Sequence, residues 1–402
     1  MKIKLTLIIF AILYISCSDD SVDPITPDVV EEEIIEDEIV EDEEVVEEVS
    51  FPTLVAISKN VGYYYAMEVN SLADNIEITN LSETLDLGNF GSSNVSFYDG
   101  IFTHGSLKYN MDTGYQAKIS QFNFIESNTF VLDAFCDPLN LPASSQAGLS
   151  GSKNYFVHTY LNSLNSVDAP LYLNSWNNTD ESCNEFLLGN GPLYDSKLFG
   201  NYFLGFKFRE MQDENFTLNS ELWLVDLDRN QEPLMFEMDS SFNFATINSD
   251  TLYLTYINGD YKVYDIKTNT LINEGNNNAF SEYNGNYIFK TSFSENQMVF
   301  YKPSLEFTTS SAFTPILFNF SENKIVDLNV KFEEIFTHLV EKYNESYSVI
   351  NISLDFKNEL VVMGYDNSRP DDIGLLVYCN FYGNILREVE LPYSPDFVNI
   401  IN

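Results

Sequence analysis

The chain has three histidines, and two of them, His104 and His158, stand in matching contexts, "DGIFTH" and "KNYFVH". Aligning these strings also puts Lys290 of "GNYIFK" and Gly205 of "GNYFLG" in the same column. Side chains alternate along a strand, so each of these residues shares a face with the apolar residue two places earlier. If the strand is one of the inner two of its unit, His104, His158 and Lys290 would line a common polar site near an axis. Such a site would suit an anionic ligand such as an acidic sugar. The plainer reading is that each histidine is hydrogen-bonded between strands of its own unit, and a slip of one residue would turn every side chain to the opposite face.

Other chemistry is sparse. Gly-x-Ser-x-Gly, His-Glu-x-x-His, the P-loop and paired Cys-x-x-Cys are all absent, so no catalytic residue, metal ligand or cofactor is assigned. "DLDRNQE", Asp226 to Glu232, has alternate carboxylates but lacks the glycine and spaced acids of a calcium loop. Lying between "LWLV" and "PLMF", it reads better as a hairpin turn. Dispersed carboxylate pairs of the kind that hydrolyse glycosides leave no trace in sequence. The many Tyr and Phe residues suit sugar stacking and core packing alike, and with only Trp176 and Trp223 the core is favoured.

The elements that must position these residues begin at Phe51. From there the chain consists of short aromatic and β-branched runs separated by turns rich in Asn, Asp, Gly and Ser, which is the punctuation of an all-β domain. A loose repeat of strand, turn and strand recurs: "ISKNVGYYYAM", "SFYDGIFTH", "GSKNYFVHTY", "KLFGNYFLGF", "INSDTLYLTY", "EYNGNYIFKT" and "DFKNELVVMGY". With turns at Asn60, Asp99, Lys153, Gly200, Ser249, Gly285 and Lys357, the spacings are 39, 54, 47, 49, 36 and 72 residues. Most match a four-stranded blade, so the expected fold is a β-propeller of about seven four-stranded blades, with six or eight open. A pair of β-sandwiches or a long β-solenoid comes next. The clearest blade is Phe242 to Ile272, with a hairpin at Asn258-Gly259.

The long last gap holds one amphipathic helix, a helical insertion near 330–344, with Phe332, Ile335, Phe336, Leu339, Val340 and Tyr343 on one face. It is expected to pack on the outside or rim of the propeller. A lid over the channel is the functional alternative. No named propeller family leaves its signature: Trp223 is followed by Leu224, and there is neither a kelch double glycine nor a Ser-x-Asp-x-Gly-x-x-Trp box.

The amino terminus says where the protein lives. Lys2 and Lys4 precede Leu5 to Ile15, a run that is apolar except for Thr6. As a helix these eleven residues reach about 16 Å, roughly half a bilayer core, so 1–16 reads as a signal peptide. Ile15-Ser16-Cys17 resembles the lipobox of bacterial lipoproteins, with Tyr14 where Leu is commoner. The resemblance implies that Cys17 is acylated and becomes the mature amino terminus, since two or more acyl chains give stable anchoring. Ser18-Asp19-Asp20 resembles the acidic signal that exports many Bacteroidota lipoproteins to the outside of the outer membrane, although these acids also simply begin an acidic run. Ser21 and Thr251 each match that phylum's short O-glycosylation motif.

Residues 17–50 therefore read as a lipidated cysteine and an acidic tether, and 51–402 as the propeller-like domain. Asp19 to Glu48 carries sixteen acids and no base, which gives an extended, self-repelling segment, with a calcium-collecting or partner-binding tail as the alternative. Beyond signal and tether there are 45 acids against 18 bases, a balance of −27 that disfavours nucleic acid and anionic lipid headgroups. With Cys17 in the anchor, Cys136, Cys183 and Cys379 lie in an oxidising compartment and cannot all pair within the chain. Cys136 and Cys183 sit in polar, loop-like segments and are expected to form a disulfide, whereas Cys379 reads as a buried strand residue. The functional expectation is a binding or scaffold propeller at the cell surface, lipid-anchored in the outer membrane, with a protein or glycan partner. The alternative is an extracellular hydrolase or lyase of polysaccharide or peptide with carboxylates on the channel axis.

Overall fold

Apolar runs bounded by Asn-, Asp-, Gly- and Ser-rich turns become strands, and the computed structural model pairs them into seven four-stranded antiparallel sheets. It describes residues 50–401 apart from 71–74, 88–92, 111–113, 133–135, 137–147, 162–168, 209–219, 230, 282–290, 292, 295, 304–312, 327, 329, 331, 344–347 and 367–372. The sheets stand as blades in a ring, a seven-bladed β-propeller.

The first blade contains β1 (Thr53–Asn60), β2 (Tyr63–Val69) and β3 (Ile76–Asn80), and the short helix α1 (Leu81–Thr84) leads to the second. Blade 2 is β4 (Ser93–Tyr98), β5 (Ile101–Asn110), β6 (Gly114–Asn123) and β7 (Asn128–Leu132). Blade 3 is β8 (Gly148–Gly151), β9 (Tyr155–Leu161), β10 (Pro170–Asn177) and β11 (Cys183–Asn190). Blade 4 is β12 (Asp195–Phe199), β13 (Tyr202–Phe208), β14 (Ser220–Asp226) and β15 (Leu234–Met238). Blade 5 is β16 (Phe242–Asn248), β17 (Thr251–Tyr256), β18 (Asp260–Asp265) and β19 (Thr270–Asn276). Blade 6 is β20 (Phe293–Ser294), β21 (Gln297–Pro303), β22 (Phe313–Asn319) and β23 (Lys324–Val326). Helix α2 (Phe332–Tyr343) follows, and blade 7 is β24 (Ser348–Asp355), β25 (Leu360–Asp366), β26 (Gly374–Asn380) and β27 (Ile385–Leu391).

The last strand, β28 (Phe397–Ile401), returns to the beginning. It pairs with β1 from Thr53 opposite Ile401 to Ile57 opposite Phe397 and is the innermost strand of blade 1. The ring is thus closed by hydrogen bonds between the two ends of the domain.

Each gap between blades holds its own apolar cluster. Between blades 5 and 6, for example, Phe280 meets the rings of Tyr261, Phe300, Phe318 and Phe320. Among the described residues, the smallest cluster lies between blades 2 and 3, where the fully or nearly buried apolar residues are Ile119, Leu149 and Phe156. There the sheets approach over glycines. A Cβ on Gly105 would come within 2.5 Å of Leu149, and one on Gly151 within 2.8 Å of Phe156 and Thr103. The same gap is held by polar contacts: Gln121 Nε2 donates to Thr103 Oγ1 and to the Ser152 carbonyl, both at 3.0 Å.

Helix α2 does not cover the axis. Ile335 and Leu339 pack among Val299 and Leu317 of blade 6 and Val361 and Met363 of blade 7, so the helix fills the gap between these blades. Its other side is tied to Glu388 of β27, which takes Lys342 Nζ at 3.0 Å and Tyr343 Oη at 2.7 Å and lies 2.9 Å from His338 Nε2.

A second tie links neighbouring blades at the turn between the first two strands. Tyr155, the first residue of β9, donates its hydroxyl to Asp228 of blade 4 at 2.7 Å. Tyr202, the first residue of β13, donates to Asp250 of blade 5 at 2.6 Å, and Lys267 Nζ reaches the other oxygen of Asp250 at 2.5 Å. These bonds, from Lys267 first and Tyr202 second, hold the Asp250 carboxyl below its ordinary range. A carboxylate with a depressed folded-state pKa stabilises the fold above its unfolded pKa, and that contribution is lost as pH falls through the folded value. Lys267→Met should therefore lower the melting temperature at pH 7 by an amount corresponding to roughly 0.2–1 kcal/mol, the range for an exposed pair. The difference from the parent should shrink below about pH 4, as followed by thermal melts across pH.

Candidate functional site: the axial mouth

At the end of the axis where the first two strands of each blade turn, the blades surround an open cavity of about 730 Å³. Blade 2 contributes Asp99, blade 4 Phe199 to Tyr202, blade 5 Ile247 to Asp250, blade 7 Ser353 to Lys357, and blade 1 Asn399 and Ile400; Thr291 and Phe293 come from the start of blade 6. Local chemistry explains why the turns converge so regularly. Asp99 and Gly100 of blade 2 have φ of 52° and 70°, Gly200 of blade 4 has 55°, and Ser249 of blade 5 has 52°, so the chain reverses in the left-handed region at the same place in these three blades.

Many polar groups of the mouth are occupied by the fold. Asp355 accepts the backbone N–H groups of Lys357 at 3.0 Å and Asn358 at 3.2 Å on one oxygen, and the Asn358 side chain at 2.6 Å on the other. It is a buried turn anchor. Asp250 is neutralised by Lys267, as described above. Asn201 donates to Asp228 at 2.5 Å and accepts from Asn154 at 3.2 Å. Ser353 and Thr291 donate to the carbonyls of Val398 and Val299. The rings of Phe199 and Tyr202 belong to the core between blades 4 and 5.

Among the described residues, the side chains of Asn248, Ser249, Lys357 and Asn399 line the cavity without an intramolecular polar partner. They stand on blades 5, 7 and 1. The mouth therefore offers two carboxamides, a hydroxyl and one ammonium group around a space of small-molecule size. Nothing in local sequence marks these four. Ser249 and Lys357 serve as turn markers of the repeat, while Asn248 and Asn399 matter only because the ring brings strand ends together.

The structure does not bring the two aligned histidines to one site. His104 lies on β5 and packs edge-on against Tyr64 of blade 1, with centroids 5.8 Å apart. His158 lies on β9, on the same face as Phe156, whose ring stacks on Phe130 of blade 2 at 5.3 Å. The matched positions thus face successive gaps, with the sheet of blade 2 between them. Both strands are second from the axis, and burial pushes each imidazole down to about 4, which leaves both neutral at pH 7. Lys290 lies outside the described residues, as do Cys17 and Ser21.

Cys136 and Cys183 are joined in a disulfide, with Cα atoms 5.7 Å apart. Cys379 is a free, buried thiol, pushed up to about 12 first by burial and then by Glu388. Thr251 opens β17 directly after the Ser249-Asp250 turn and is half-buried. Asp226 to Glu232 forms the connection between β14 and β15, and its Asp228 serves the tie to Tyr155 and Asn201. Among the described residues no cluster of three or more His, Cys, Asp or Glu side chains could hold a metal ion.

No family model matches the chain, and no curated protein matches it. Among solved structures, the computationally designed Ika8 protein is 12% identical, covering 86% of this chain and 89% of its own, with a TM-score of 0.39. Apo AztD from Citrobacter koseri is 11% identical, covering 65% of this chain and 68% of its own, with a TM-score of 0.31. The blade count and ring closure rest on the strand pairing given above.

Proposed function

We propose that this chain is a lipid-anchored, cell-surface binding protein whose ligand enters the axial mouth. The observation that carries the binding role is the division of the mouth's polar groups: Asp250 and Asp355 are engaged by the fold, whereas Asn248, Ser249, Lys357 and Asn399 are available. A hydrolase with carboxylates on the axis would need one carboxyl poised as an acid, with its pKa raised. Asp250 is instead held below its ordinary range by Lys267 and Tyr202. Available donors and acceptors around a concave space favour recognition.

The test is a photo-crosslinking amino acid placed at position 248 in cells that display the protein, with position 271 as control. Leu271 is 45% exposed on the outer strand of the same blade. Adducts formed at 248 and not at 271 are expected. Equal labelling, or labelling at 271 alone, would move the binding surface away from the axis.

Support for the location comes from the sequence, in the resemblance of Ile15-Ser16-Cys17 to a lipobox. Cys17→Ala should transfer the protein from the membrane fraction to the soluble one, and protease added to intact cells should remove the domain of the unmodified protein. A Cys17→Ala protein that still pellets with membranes would rule out the lipid anchor.

A further inference from the structure

Taking the mouth as the binding site, we infer that its ligand is the uncharged end of a glycan, held by Asn248, Ser249, Asn399 and Lys357. Shape is the first argument. A stable protein partner covers roughly 800 Å² on each side of a broad, mostly flat interface, whereas the mouth is an open concavity of about 730 Å³ lined by residues of six blades. That space admits a chain end or a small molecule.

Charge narrows the class further. Phosphate-rich and polyanionic ligands meet a domain with a balance of −27, against which Lys357 is the one basic residue among the described residues that line the cavity. Cationic ligands would need open carboxylates. Among the described lining residues, Asp250 is already paired with Lys267, both oxygens of Asp355 are filled by its own turn, and Asp99 is also engaged in an interaction of its own.

The hydrogen-bonding inventory decides what is left. A carboxamide offers two donors and an acceptor, and a hydroxyl can both donate and accept. Asn248, Asn399 and Ser249 together therefore complement a surface that alternates donor and acceptor over short distances, which is what vicinal sugar hydroxyls present. An apolar ligand would leave these groups desolvated and unpaired, at a cost. Lys357 adds a donor that can serve a ring or glycosidic oxygen without requiring a charge on the ligand.

The experiment uses the full chain in detergent and titration calorimetry with three neutral probes, cellohexaose, mannohexaose and chitohexaose, and with a hexagalacturonate of equal length. Binding of at least one neutral hexasaccharide is expected. The pair Asn248→Ala and Asn399→Ala should weaken it by about tenfold or more, in line with the loss of two or more hydrogen bonds, while Leu271→Ala leaves it unchanged. Thermal melts of each variant, with Asn248→Asp as a shape-preserving second substitution, separate lost contacts from lost fold. Hexagalacturonate binding more tightly than every neutral probe would overturn the inference, as would neutral binding that survives both substitutions, or no binding of any probe. The two readings fail differently: crosslinking at 248 without sugar binding overturns the glycan alone, and its absence overturns the mouth itself.

Discussion

A chain ending at Pro395, without Asp396 to Asn402, should accumulate largely as aggregate, and its soluble remainder should lack a cooperative thermal transition. The deleted segment supplies the inner strand of blade 1 and packs both ways round the ring. Val398 and Ile400 sit with Val362, Leu376 and Tyr378 of blade 7, and Phe397 and Ile401 with Phe97 and Phe102 of blade 2. Its loss would uncover the pairing edge of β1, where Leu54, Val55, Ala56 and Ile57 are all fully buried. Burying Val398 alone is worth about 1.5–3 kcal/mol, and the other three apolar side chains, Phe397, Ile400 and Ile401, add to it. The sum approaches the 5–15 kcal/mol typical of whole-domain stability. An exposed apolar edge strand also invites pairing between chains. A synthetic peptide covering 393–402 should restore solubility when added during refolding. A truncated protein that melts like the parent would show that the ring does not depend on this closure.

Removing the disulfide should produce the other large effect. Cys136 follows the outer strand of blade 2, and Cys183 begins the outer strand of blade 3, so the bond clamps the gap with the smallest described apolar cluster from outside. In the chain-entropy model a separation of 47 residues corresponds to about 4 kcal/mol. Cys136→Ala with Cys183→Ala should lower the melting temperature by about 5 °C, and reductant should bring the parent down to the same value. Cys379→Ala serves as the control, because that thiol is buried and unbonded. Equal melting of oxidised and reduced parent would mean that the bond contributes nothing to stability.

The turn spacing revealed the propeller because each blade repeats the same local instruction, an apolar run, a tight turn and a second apolar run. Blade 5 was the most readable, with its hairpin at Asn258-Gly259, where Gly259 has φ of 89°. The phase of the first blade was not readable. "ISKNVGYYYAM" joins β1 to β2, the second and third strands of its blade, whereas the matching strings of blades 2 to 5 join the first and second. No local signal says that the missing first strand is over 300 residues away. In blade 6 the expected turn at Gly285 falls outside the described residues, and the first turn lies between Ser294 and Gln297. Measured at Asn296, the last two spacings become 47 and 61 residues, with α2 accounting for the excess.

The site was less legible than the fold, for a related reason. His104 and His158 do occupy the same position in the repeat, but in a ring that equivalence assigns them to different gaps. Two residues at one repeat position are kept apart by a sheet, and what meets at the axis are the ends of strands. Asn399 could not be placed at the mouth before the closing strand was known. Only the ring joins it to Asn248.

The same closing strand imposes an order on folding. β1 is the first strand of the domain in sequence, yet its inner partner β28 is the last. Blades 2 to 7 have both of their inner strands within a few residues of each other, whereas blade 1 is completed only when the two ends of the domain meet. Pairings of such long sequence separation are slow to form. During that interval the apolar edge Leu54 to Ile57 has no inner neighbour, and the sequence just ahead of it, Glu41 to Glu48, is almost entirely Asp, Glu and Val. Dense like charge beside an aggregation-prone strand acts as a gatekeeper. An acidic run directly ahead of that edge in the sequence disfavours pairing between copies until their own last strand is in place.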